Sequence, residues 1–148
     1  MTRIRRILCA SDFSTTSGKA LTAAISLAKA NRARLTILHA YVPIVPLMPE
    51  QSIESGTWDR LDTETRQWAA RRVAKLADKA KQAGVRASAM MVTGDPVRQI
   101  VRSARSMRAD LIVVGTHGRR GVSKFFLGSV AGRVVATAPC PVMTVRGR

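Results

Sequence analysis

The sequence predicts a doubly wound α/β domain, and three observations carry that prediction. Strand, helix and strand patterns succeed one another between Ile4 and Tyr41, which is the spacing of a parallel crossover unit. Short apolar runs alternate with helical periodicities from there to the end of the chain. One such run, Leu111-Ile112-Val113-Val114, is apolar throughout, as a strand covered on both faces must be.

The elements follow in order. Ile4 to Ala10 reads as the first strand, and Ser14 to Lys29 carries Ala20, Leu21, Ala24, Ile25, Leu27 and Ala28 at helical spacing, with Asn31 placed to end the helix. Ala33 to Tyr41 is the second strand. Pro43, Pro46, Pro49 and Gly56 then mark a loop at about 42–56, long enough to suggest mobility or a role over a site. The next helix is the longest: Trp58, Leu61, Thr65, Trp68, Ala69, Val73, Leu76 and Ala80 recur three and four residues apart, and Gly84 supplies the stop. Both tryptophans fall on that stripe and are expected as packing anchors. Val85 to Val92 is a strand poor in β-branched residues. Asp95-Pro96 opens a third helix in the order of cap and first-turn proline, Asp110 to Val114 forms the fourth strand, Ser129 to Ala138 a last short helix and Val142 to Val145 the last strand. Residues 1–148 make one domain of five strands and four helices.

Composition sets the outer limits. A chain of 148 residues, 46% hydrophobic, has room for one substantial core, and no apolar run approaches the roughly 20 residues that cross a bilayer. The N-terminal apolar run is too short for an export signal, so a cytoplasmic location and no membrane are expected. Cys9 and Cys140 are expected to be reduced thiols. The formal charge of +16 is uneven, with ten cations from Arg98 onward against the single carboxylate Asp110. Such a field attracts polyanions with a strength that falls as salt rises.

The chemistry concentrates in GTHGRRGVSKFFLGS, residues 115–129. In an open parallel sheet a ligand sits outside the carboxyl ends of the strands where the winding changes direction. The loop after the first strand, Ala10-Ser11-Asp12-Phe13-Ser14, and the loop beginning at Gly115 would then face one another, with Asp12 pointing into the crevice. Gly115, Gly118 and Gly121 let the backbone approach phosphate oxygens closely, and Ser129 adds a hydroxyl at a helix N-terminus, itself an anion site. The plainer reading, in which the glycines turn the chain and Ser129 caps its helix, accounts for each residue singly just as well. A Walker A loop is excluded because no Lys stands between Gly128 and Ser129, and the dinucleotide fingerprint because Cys9-Ala10-Ser11-Asp12 follows the first strand.

Taken in order, Gly115, two residues, Gly118, nine residues, Gly128, Ser129 resembles the nucleotide-binding motif of the universal stress protein family, in its ATP-binding branch. The opening Ile7-Leu8-Cys9-Ala10-Ser11-Asp12-Phe13-Ser14 and the closing Ala138-Pro139-Cys140-Pro141-Val142-Met143 are similar to that family's first and last segments. The resemblance spans nearly the whole chain. It implies a five-stranded, mainly parallel sheet in the order 3-2-1-4-5 and a cytoplasmic homodimer, paired through its C-terminal edge strand, that binds ATP with Mg²⁺. It places Asp12 beside the nucleoside, the Ala40 backbone at the adenine edge, Gly115 and Gly118 along the ribose and phosphates, and Gly128, Ser129 and the Val130 backbone on the phosphate tail. His117 and Arg119 are accessory candidates. His39, at the end of a strand, is expected as a hydrogen-bonded core histidine.

Two function classes follow. The first is an ATP-binding stress-response or regulatory protein, acting on an unidentified protein partner, with at most slow hydrolysis, since Asp12 is the only carboxylate placed in the crevice and lies near the nucleoside end. The alternative is a basic nucleic-acid-associated protein with non-specific, salt-sensitive binding to polyanions. No clustered Cys, His or carboxylate set suggests a resident metal, so the cation is expected to arrive on the nucleotide phosphates.

Overall fold

Strands and helices alternate without exception in the computed structural model, which describes residues 3–45, 55–116 and 127–147. They are β1 (Arg6–Ala10), α1 (Thr15–Asn31), β2 (Arg34–Tyr41), α2 (Ser55–Gln82), β3 (Arg86–Thr93), α3 (Pro96–Ser106), β4 (Leu111–Gly115), α4 (Ser129–Thr137) and β5 (Val142–Val145). All four strand pairings are parallel, in the order β3-β2-β1-β4-β5. The expected sheet order is therefore the observed one. Of the loop expected at 42–56, residues 46–54 lie outside the described residues, and Ser55 and Gly56 already belong to α2.

Local chemistry explains the boundaries. The Ser14 hydroxyl accepts the Ser17 N–H at 3.1 Å and starts α1, which ends where Arg32 turns left-handed at φ 55° and donates back to the Ala28 and Lys29 carbonyls. Asp95 accepts the Arg98 N–H at 3.0 Å ahead of Pro96 and starts α3. Gly84, at φ +88°, closes the turn after α2.

Alternation along the strands sorts the core into two layers. Ile7, Cys9, Leu35, Ile37 and Val113 pack with α1 and with Val73, Ala77 and Ala80 of α2. Leu8, Leu38, Ile112 and Val114 pack with Val97, Ile100 and Ala104 of α3 and Ala131 and Val134 of α4. Cys9 and Cys140 are both free thiols. Burial pushes Cys9 up to about 12, so it behaves as a small core hydrophobe.

Trp68 departs from expectation, whereas Trp58 is half-buried. Trp68 is 41% exposed and Leu61 44%, while the buried stripe of α2 is the narrow series Ala69, Val73, Ala77 and Ala80. The reason is length. Twenty-eight helical residues run roughly 42 Å, against roughly 26 Å for the eight residues of β3, so the first half of α2 overshoots the sheet it covers. Trp68 instead meets the Phe13 ring edge-on at 5.6 Å, with the Arg72 guanidinium 5.0 Å from each ring.

That overshoot is braced at one point. The Asp62 carboxylate accepts the Tyr41 hydroxyl at 2.6 Å and the Ile44 N–H at 3.0 Å, and Arg66 approaches its other oxygen at 3.4 Å. The Tyr41 hydroxyl bond, then the Ile44 N–H, hold the Asp62 carboxyl below its ordinary 3.8. A carboxyl lowered on folding stabilises the folded chain above its ordinary value and loses that contribution as pH falls through the lowered one. Asp62→Asn should therefore lower the melting temperature at pH 7, and the gap to the unmodified chain should close as thermal unfolding is followed from pH 5 down to pH 2.

Candidate functional site

The site begins with a loop that satisfies nearly all of its own polar groups. Leaving β1, Ser11 N–H donates to the Leu38 carbonyl at 2.8 Å, its hydroxyl accepts the Phe13 N–H at 3.1 Å and meets the Ser17 hydroxyl at 3.2 Å, and its carbonyl meets His39 Nδ1 at 2.8 Å. A carbonyl only accepts, so Nδ1 carries the proton and Nε2 is left with a lone pair in the neutral ring. Asp12 Oδ1 accepts the Ser14 N–H at 2.9 Å. This bonding holds Phe13 at φ 65°, a conformation few bulky residues adopt, with its ring stacked 4.2 Å from His39.

Ala40 comes next. Because the Leu38 carbonyl bonds toward β1, alternation turns the N–H and C=O of Ala40 to that same side, beyond the last pair, Ala10 with Leu38. The polar edge of Ala40 thus opens into the space where β1 has ended.

Gly115, the last residue of β4, forms the facing wall. A side-chain carbon there would lie 2.9 Å from Thr16 Cγ2 and 3.2 Å from the Thr16 carbonyl carbon and oxygen. Only glycine lets β4 end so near the first turn of α1. Beyond it, the Gly128 N–H donates to the Thr116 carbonyl and returns the chain to the top of the sheet, where α4 starts.

These pieces enclose a cavity of about 190 Å³ at the carboxyl ends of β1, β2 and β4. Asp12, Ala40, Gly115, Gly128, Ser129 and Val130, six of the residues the sequence singles out, all line it. Gly118, His117 and Arg119 lie outside the described residues. The structure adds lining that sequence reasoning missed or assigned elsewhere: Ser11, Ser14 and Ser17 from the first loop and α1, Thr116 after β4, and His39. His39 is hydrogen-bonded as expected, but it is half-buried and its ring belongs to the cavity wall. Its position as the residue before Ala40 was the available signal.

One role changes. The N-cap of α4 is Gly128, with no side-chain cap bond, and Ser129 is the first helical residue. Ser129 is exposed, and its hydroxyl is not used to cap the helix. The α4 N-terminus therefore offers the cavity its first-turn N–H groups and a hydroxyl together, a donor set suited to an anion. Leu38, Ile100 and Val114, from the same core layer as α4, add an apolar lining that suits a flat, weakly polar group. The cavity thus combines apolar lining with an anion-binding donor set. Among the described residues no group of three or more His, Cys, Asp or Glu converges as a metal cluster.

Sequence likeness covers the chain end to end. The universal stress protein family matches residues 3–146. A Thermus aquaticus protein described as a universal stress protein in the QAH/OAS sulfhydrylase 3′ region is 38% identical over 144 residues, covering 96% of this chain and 98% of its own. Among solved structures, a universal stress protein in complex with cAMP superposes with a TM-score of 0.72 at 27% identity, covering 98% of each chain. An Arabidopsis thaliana protein of the same family, with AMP bound, superposes with a TM-score of 0.66 at 25% identity, covering 97% of this chain and 92% of its own.

The close approach at Gly115 has a direct test. Gly115→Ala should destabilise by about 1–3 kcal/mol, the ordinary cost of forcing a methyl into a filled space. Gly18→Ala, within α1 where no heavy atom lies within 4 Å of the added carbon, should instead be neutral or gain up to about 1 kcal/mol. Urea unfolding of the two variants beside the parent chain measures both.

Proposed function

The chain belongs to the universal stress protein family, and on that premise we propose that it is an ATP-binding stress-response or regulatory protein. The observation that carries the reading is the cavity at the carboxyl ends of the strands, lined both by apolar side chains and by the α4 N-terminus. The AMP and cAMP complexes of two relatives support an adenine nucleotide as the class of ligand.

In this reading the purine lies against the apolar wall with its polar edge at the Ala40 backbone, and Asp12 takes a ribose hydroxyl. The ribose and first phosphates pass Gly115 and Gly118. The phosphate tail ends on Gly128, Ser129 and the Val130 N–H, with His117 and Arg119 as accessory contacts. Mg²⁺ travels on the phosphates, because the crevice supplies few protein oxygens for it. Hydrolysis is at most slow: Asp12, the one carboxylate lining the crevice among the described residues, is bonded to the Ser14 N–H and in this reading sits at the nucleoside end, away from the γ-phosphate.

Since Gly128 and not Ser129 occupies the N-cap, binding and stability separate cleanly. Ser129→Ala should leave thermal unfolding without nucleotide within about 0.5 kcal/mol of the parent while weakening ATP by about tenfold or more, the loss expected for one hydrogen bond to a charged group. Calorimetry with ATP and Mg²⁺, beside AMP and a chromatographic assay of ADP, measures it. No binding at millimolar ATP overturns the reading, and turnover above about one per second, the low end of ordinary enzymes, overturns the regulatory role.

The same reading includes a homodimer formed through β5. The Pro141 and Val145 carbonyls bond to Ile112 and Thr116 on the β4 side, so alternation turns the Val142 and Thr144 N–H groups to the open edge. Met143, 37% exposed, and Val135, 47% exposed, lie on β5 and on α4 before it. Strand pairing about a two-fold axis covers the edge, and at physiological salt the repulsion of two +16 chains is screened beyond about 8 Å. Thr144→Pro removes an outward donor and leaves the β4–β5 ladder intact. Sedimentation should show a dimer for the parent chain and a folded monomer for the variant. A variant that stays dimeric moves the interface elsewhere.

A further inference from the structure

The end of the sheet opposite the cavity carries a feature the nucleotide reading does not use. Arg6, Arg34 and Arg86 are the first residues of β1, β2 and β3, and the parallel register pairs Arg6 with Arg34 and Arg34 with Arg86. Three guanidinium side chains therefore leave the same face of adjacent strands, about 4.8 Å apart from one strand to the next. Like charges directly opposite one another destabilise a sheet, and no carboxylate bridges these three. Among the described residues the one salt bridge joins Arg66 to Asp62 within α2. Asp110, the carboxylate at this end, uses one oxygen to accept the backbone N–H groups of Arg5 and Arg6, both at 2.9 Å.

The row is concave. With Arg3, Arg5, Arg32 and Asn31 it lines a hollow of about 450 Å³ whose walls contain no aromatic or aliphatic residue. Arg86 donates to the Arg32 carbonyl at 3.1 Å, which ties β3 across to the turn before β2. The favourable meeting of cations with helix C-termini accounts for Lys29 in the last turn of α1 and Arg32 just beyond it, but not for cations that begin strands.

We propose that this arginine-walled hollow is a second anion site, separate from the nucleotide crevice, that takes a contiguous oligophosphate. Guanidinium forks match phosphate oxygens two at a time. The row spans roughly 10 Å over two strand spacings, more than a single phosphate occupies. No aromatic ring lines the hollow, so its recognising chemistry is the guanidinium groups, whose forks fit the phosphate chain itself.

Calorimetry with inorganic tripolyphosphate at 150 mM salt, beside orthophosphate and a single-stranded oligonucleotide, tests the proposal. With ATP filling the crevice, tripolyphosphate should still bind once per chain and more tightly than orthophosphate. Arg34→Gln combined with Arg86→Gln should weaken it at least tenfold, whereas Arg71→Gln, an exposed cation of α2 outside the hollow, should leave it unchanged. If the double variant is unfolded by circular dichroism, Arg86→Gln on the edge strand should alone weaken binding at least threefold. Without phosphate and at low salt, a folded variant should melt above the parent chain, because a like-charge contact has been relieved. Four results overturn the proposal: no tripolyphosphate binding at millimolar concentration, binding lost once ATP fills the crevice, binding indifferent to the arginine substitutions, or an oligonucleotide that binds more tightly and loses its affinity in the arginine variant.

Discussion

The contact between Gly115 and Thr16 sets the geometry on which the functional end of the molecule depends. β4 lies inside the sheet between β1 and β5, and its last residue can lie against the first turn of α1 only because no side chain intervenes. That approach draws the start of α1, its Ser14 cap and the Ser11 network into one wall. A side chain at 115 would push α1 away from the sheet and move both walls of the cavity together. A single missing methyl therefore positions groups from three strands and two helices.

The cavity also illustrates how a parallel sheet makes a site without a dedicated catalytic constellation. Where β1 ends, its neighbours continue, and the polar groups of Ala40 are left facing a gap. The donors at the α4 N-terminus approach the same gap from another direction. Neither feature requires an unusual side chain. Both come from strands of unequal length in a sheet that changes winding direction at β1.

The two ends of the sheet carry opposite chemistry for a common reason. Helices begin at the carboxyl ends of the strands and finish at the amino ends, so N–H groups gather above and carbonyl groups below. Anions are favoured at the first end by dipoles alone. At the second end dipoles oppose them, and only an excess of fixed cations, such as the row of Arg6, Arg34 and Arg86, could reverse that preference.

Much of this architecture was legible in the sequence, because apolar periodicity, the Ser14 and Asp95 caps and the stop at Gly84 are local signals, each decided within a few residues. The motif spacing from Gly115 to Ser129 likewise named Gly115, Gly128 and Ser129 of the cavity lining, while Ser11, Ser14 and Thr116 beside it went unassigned. What the sequence could not determine depended on register and reach. Trp68 falls on an apolar stripe in the chain and at the exposed flank in space, because α2 is longer than the strand beneath it. His39 belongs to the cavity because β1 stops short of it. Ser129 is free of capping because the last non-helical residue is Gly128, a one-residue distinction made by backbone angles. The arginine row was invisible for the same reason: its members stand 28 and 52 residues apart in the chain, and only strand pairing, which acts across the sheet and leaves no local trace, makes them neighbours.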